Sequence, residues 1–208
     1  MSQRSWFYKA LTGSHIEKVS GGRLKRFTPK QAAGMIGSWI IETGDPNLVN
    51  LDVVEIGNGN AGRGLSQYTG VRRRAYDRAR ASALRNGQNV NSKEWQFKYF
   101  VDEYLGKHDT NGASLVGWTR SFERAPEFNS AADYAQYYTD TYFRPGVPHM
   151  DRRRSYADET FTTIGSQPET PVTNPNQIKN PQQGINPGIP KGPGELIGDA
   201  LRALGLPF

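Results

Sequence analysis

FTPKQAAGMIGSWIIETG, residues 27–44, opens as a helix start and closes on a carboxylate. Thr28 is an N-cap residue, and Pro29 suits the first turn because its missing N–H would have no helical partner there. Gln31, three residues after the cap, completes a capping box. The helix should run to about Glu42, where Gly44-Asp45-Pro46 breaks it. Its apolar stripe is Met35, Ile36, Trp39 and Ile40. Glu42 lies at the edge of that stripe, beside Ile41, and at the helix end whose partial negative charge disfavours a carboxylate. Burial and the helix end both favour the protonated form, bringing the group toward the range where a glutamate donates a proton at neutral pH. A carboxylic acid of this kind beside a cleft is suited to glycoside cleavage as the general acid, protonating the leaving oxygen. Asp45, Asp52 and Glu55 follow as candidate second carboxylates, which leaves hydrolysis with inversion and non-hydrolytic cleavage both open.

Downstream the pattern stays helical. Val71 to about Arg85 sets Val71, Ala75, Ala79 and Ala83 on one side, with Arg72, Arg73, Arg74, Arg78, Arg80 and Arg85 in the same stretch. Ser92 caps a third helix with Phe97, Phe100, Val101, Tyr104 and Leu105 as its core face, closed by Gly106. Residues 112–119 read as a further short helix. Ser130 opens another, with Tyr134, Tyr138 and Tyr142 at helical spacing, and Asp151 starts a last one through Ala157, Phe161 and Ile164. Between the first two helices, Val53-Val54-Glu55-Ile56, a Gly57-Asn58-Gly59-Asn60 turn and a return through Gly64-Leu65-Ser66-Gln67-Tyr68 predict a small β-hairpin. The expectation is a mainly α domain, of α+β type, over residues 1–165.

The remainder is a different kind of chain. Residues 166–194 hold seven of the thirteen prolines and no aromatic residue, which makes them an extended linker. Residues 195–208 carry Leu196, Ile197, Ala200, Leu201 and Leu204 at helical spacing, a short amphipathic helix that needs a partner to cover its stripe.

Composition excludes several classes. There is no cysteine, and three scattered histidines have no ligand spacing, so neither a disulfide framework nor a metal or other cofactor is expected. No apolar run has the length of a membrane span or signal peptide, so a soluble chain without an export signal is expected. The net charge of +6 falls in residues 1–165, with 23 Lys/Arg against 17 Asp/Glu. A basic surface favours anionic partners such as bacterial wall polymer. Nucleic acid is disfavoured, because the arginines of 72–85 spread around their helix as a solvated face and do not form one reading edge.

Three stretches in order carry a resemblance. They are Phe27 to Gly37 followed by Ile41-Glu42-Thr43-Gly44, then Gly62 to Arg72, then Tyr142-Phe143-Arg144-Pro145-Gly146 leading to Arg152 through Ala157. Over roughly residues 5–165 the chain resembles the phage tail lysozyme family, of the lysozyme-like superfamily that includes goose-type lysozymes and soluble lytic transglycosylases. The resemblance implies an α+β lysozyme-like fold and a virion-associated glycosidase that opens peptidoglycan during genome delivery, acting from the phage tail in the host envelope. It implies Glu42 as catalytic acid, and Gly64, Gln67, Tyr68, Tyr142 and Arg144 as sugar-cleft residues. A phage tail or hub protein is the expected partner of residues 166–208. Two departures are visible: Thr43 stands where a serine usually follows the glutamate, and Phe143 where a glutamate often precedes Arg-Pro. The segment from Gly13 to Arg26 is longer than the resemblance requires. The alternative reading is a catalytically weakened tail component that keeps the fold for assembly.

Overall fold

A computed structural model describes residues 1–55, 61–108 and 124–166. The chain divides into two compact units, Met1–Pro168 and Glu169–Phe208, and the described residues all belong to the first. The helix expected at 112–119, the linker and the terminal helix lie outside the described residues.

Seven helices are seen among the described residues: α1 Gln3–Thr12, α2 Ser14–Ser20, α3 Pro29–Thr43, α4 Gly70–Arg85, α5 Lys93–Tyr104, α6 Ala131–Tyr138 and α7 Met150–Thr160. Helices α6 and α7 each run on into a π-helical turn, Thr139–Phe143 and Phe161–Gly165. The mainly helical expectation holds. The hairpin is not seen as a sheet: among the described residues only single bridges are present, Val54 to Arg63 and Arg63 to Tyr68. The physical reason is local. Gly64 and Gln67 take positive φ, 82° and 41°, so the returning segment curls into a turn where a strand would need extended backbone. Its Ile56 to Asn60 portion lies outside the described residues.

Helix α3 is the central element, packed against α6 and α7. Its N-terminus is the expected capping box, with Thr28 and Gln31 exchanging side-chain and backbone bonds. Ten of its residues are buried, far more than the four-residue stripe, because helices cover it on several sides. Two glycines make this approach possible: a Cβ on Gly34 would lie 2.6 Å from Tyr134 Cβ, and one on Gly37 would lie 2.6 Å from the Ala157 backbone nitrogen. Helices α1 and α2, for which the sequence suggested no element, bring Phe7, Leu11 and Ile16 into the same core. Phe7 sits 5.4 Å from the Trp39 ring.

The arginines of α4 divide: Arg74, Arg78 and Arg85 are exposed, as a solvated face requires, whereas Arg72, Arg73 and Arg80 are at least partly buried in ion pairs. Arg72 is buried and pairs bidentately with Glu103 at 2.6 and 3.0 Å. Arg73 binds Asp77 and the Ala61 carbonyl, and Arg80 binds Asp52.

Candidate active site

Glu42 sits in the last turn of α3, beside a cavity of about 670 Å³. That is within the range of about 300–1,000 Å³ usual for ligand clefts. One wall is the end of α3, Ile41 to Gly44. Val53 to Glu55 with Gln67 and Thr69 form the opposite side, and Phe143 to Val147 with His149 and Arg153 close the third. The loop carrying Gln67 is pinned from below: Trp39 donates its indole N–H to Ser66 Oγ at 3.0 Å, and Gln96 accepts the Leu65 N–H at 3.1 Å. The third wall follows the π-helical turn at Thr139–Phe143, whose extra residue per turn swings Phe143 and Arg144 toward the cavity.

The Glu42 side chain is 10 % exposed, and its Oε1 accepts from Arg153 Nη2 at 2.6 Å. Burial pushes its proton affinity up; Arg153 and, more weakly, Arg72 oppose this, and Glu55 adds to it. The carboxyl ends above its ordinary range. Desolvation therefore outweighs the ion pair, the direction a proton donor needs.

Of the other residues anticipated at the cleft, Gln67 and Arg144 line the cavity. Gln67 Nε2 donates to the carbonyls of Val53 and Gly64, at 3.3 and 3.2 Å, which ties the two sides of the loop together. Gly64, Tyr68 and Tyr142 stand behind the wall. What comes close to Gly64 is the Tyr76 ring, 2.7 Å from where a Cβ would be. Tyr68 is fully buried and stacks on Tyr76 at 5.0 Å, while Tyr142 is 2 % exposed and donates to Glu103 at 2.6 Å. Both rings cover the Arg72 guanidinium, at 5.0 and 4.5 Å. Neither has a face open to the cleft, so they support the wall and do not form a ring platform for a sugar.

The candidate second carboxylates separate. Asp45 accepts backbone N–H groups of Asn47, Val49 and Asn50, at 2.8, 2.7 and 2.9 Å, and these bonds hold it below its ordinary range despite its partial burial. Asp52 receives Arg63, Arg80 and Tyr76. Glu55 is exposed, lines the cavity and accepts the Gly62 N–H at 3.1 Å. Thr43, the first departure, bonds Trp39 O at 2.8 Å and closes the helix. Phe143, the second, lies over Arg153 at 5.4 Å. Among the described residues no group of acidic or histidine side chains could hold a metal ion.

The cavity-lining residue in contact with Glu42 that sequence reasoning passed over is Arg153. A signal existed: it lies one turn before Ala157 on the inner face of the last helix, and an arginine on a buried stripe requires an acceptor.

A family model, Phage tail lysozyme, matches residues 23–164. The chain belongs to the phage tail lysozyme family. No curated protein and no solved structure matches it. For a phage tail lysozyme the family points to a lysozyme-like tail protein with peptidoglycan as its substrate and peptidoglycan hydrolase activity. The match begins after α2, so the two N-terminal helices of this phage tail lysozyme lie outside it. Among the described residues no helix is long and apolar enough to cross a membrane.

Proposed function

We propose that the protein is a virion-associated glycosidase that cleaves the MurNAc–GlcNAc bond of peptidoglycan while the phage delivers its genome through the host envelope, with Glu42 as general acid. The observation that carries this reading is a cleft-lining carboxyl whose proton affinity is raised by burial although an arginine touches it. The cavity positions of Gln67 and Arg144 support a role for them in sugar binding, and Glu55 is the carboxylate that lines the same cavity as Glu42. Two outcomes of cleavage fit this site. Water activated at Glu55 gives hydrolysis, whereas attack by the muramic 6-hydroxyl gives an anhydro product.

The test is peptidoglycan clearing in a gel overlay by the wild type and by Glu42→Gln. The wild type clears and the variant does not, with a thermal transition close to that of the wild type. No clearing by the wild type on the wall of its own host sinks the enzymatic reading and favours the second one, a tail component that keeps the fold without cleavage. That second reading draws on Phe143, an apolar ring in the cavity wall where the family often has a glutamate. Mass spectrometry of the products separates reducing from anhydro muramic ends. Residues 166–208 are proposed to fix the protein in the tail through the apolar stripe of 195–208.

A further inference from the structure

The geometry points to Arg153 as a positioning residue for Glu42: it holds one carboxyl oxygen in place and leaves the other to the sugar. The inference rests on Glu42 being the acid. Arg153 is 1 % exposed and held on three sides. Its Nε donates to the Pro148 carbonyl at 2.7 Å, its Nη1 to the Ser38 carbonyl at 3.3 Å, and its Nη2 to Glu42 Oε1. Phe143 covers the guanidinium. These anchors come from α3 and from the turn that leads into α7. The group therefore cannot swing away from Glu42 without leaving backbone carbonyls unpaired. Among the described residues Glu42 Oε2 makes no hydrogen bond, and Glu42 lines the cavity, so Oε2 is the oxygen available for proton transfer.

The arrangement also matches how charge develops. Before reaction the arginine faces a neutral acid. As the proton passes from Oε2 to the glycosidic oxygen, the bond from the anomeric carbon to that oxygen breaks and its electron pair stays with the oxygen. Glu42 is then a carboxylate in a buried place, and the Arg153 bond becomes charge-assisted on both sides. An interaction that strengthens along the reaction lowers its barrier. Among the described residues the other charged groups around Glu42 make no ion pair with it. Arg72 reaches it from α4 only through space and is paired with Glu103, Glu55 faces it from the 51–55 segment, and Arg144 and His149 line the third wall. Of the two arginines that oppose protonation of Glu42, Arg153 is the one in contact with it, so its loss should let Glu42 stay protonated to higher pH.

The experiment compares wild type, Arg153→Lys and Arg153→Met on soluble peptidoglycan fragments, with thermal transitions as the check of folding. Arg153→Lys should lose at least about ten-fold in kcat with KM changed by less than about two-fold, because it loses the fork that grips Glu42 and two carbonyls together. For Arg153→Met the alkaline limb of the pH–kcat profile should move to higher pH, a shift that a purely structural role would not produce. A folded lysine variant with wild-type kcat, or a folded methionine variant with an unmoved limb, overturns the inference. If neither variant folds, the unmodified protein decides. Its Arg153 guanidinium nitrogen resonances should show hindered rotation and should shift through the pH range of the activity limb, and freely rotating resonances that ignore that range overturn it. Clearing that survives in Glu42→Gln instead removes the general-acid reading beneath it, so the two failures are distinct.

Discussion

Replacing Gly37 by alanine would put a methyl group into the backbone of α7. The new Cβ would lie 2.6 Å from Ala157 N, 2.7 Å from Arg153 O and 2.8 Å from Ala157 Cα. Ordinary contact begins near 3.5 Å, so α7 must retreat by roughly 1 Å. Because the clashing atoms are backbone, no rotamer change relieves them, and the overpacking cost falls at the upper end, about 3 kcal/mol. Alanine returns about 1 kcal/mol as the better helix former. The net loss of about 2 kcal/mol lowers Tm by about 4–8 °C for a domain of this size. The second consequence is catalytic. Arg153 is part of α7, so the retreat stretches its 2.6 Å bond to Glu42, and a misplacement of about 1 Å in a catalytic site can cost about 100-fold. Circular dichroism melting and turbidity clearing of peptidoglycan measure the two effects. A Gly37→Ala protein with a wild-type Tm and wild-type clearing refutes the close-seam account.

The activity limb should track Glu42: because burial raises its proton affinity, kcat falls as pH rises through a value above the usual carboxylate range. The same shift has a stability sign, since a carboxyl raised in the folded state favours folding below its unfolded pKa and loses that contribution as pH rises through its folded one. Melting of wild type against Glu42→Gln across that window should show the wild type falling behind, and parallel curves would contradict it. Arg72→Met or Glu103→Leu alone should cost about 3–5 kcal/mol, each leaving a buried charge without its partner, while the double variant recovers most of that; urea denaturation showing simple additivity would refute the coupling. Deleting 195–208 should leave clearing unchanged and abolish incorporation into particles, and normal incorporation would dispose of the anchor.

Glu42 was legible because its position is local: a capped helix, an apolar stripe and a glycine stop fix where the carboxylate falls. The cavity positions of Gln67 and Arg144 were legible for a related reason, since both sit in short stretches that carry the family resemblance. Tyr68 and Tyr142 misled because an aromatic ring serves a sugar cleft and a buried cation equally well, and only the partner decides. That partner is Arg72, close to Tyr68 but 70 residues from Tyr142 in the chain. The segment around Gly64 was taken for strand pairing, but its shape is set by the Asp52–Arg63 ion pair and by positive backbone angles that residue alternation does not encode. Helix α2 has seven residues, too few for a periodic signal, and α1 offers its stripe only to a neighbour already folded.

Positive φ at a side-chain-bearing residue occurs among the described residues at Leu48, Gln67, Arg144 and His149, and the last three line the cavity. Each such position costs of order 1 kcal/mol relative to glycine. Glycine at Arg144 or His149 would therefore raise heat tolerance at the expense of a side chain in the cavity wall. Gln67 is different, because its side chain ties the two sides of its loop together, whereas the α3 seam and the Arg72–Glu103 pair carry the architecture away from Arg144 and His149.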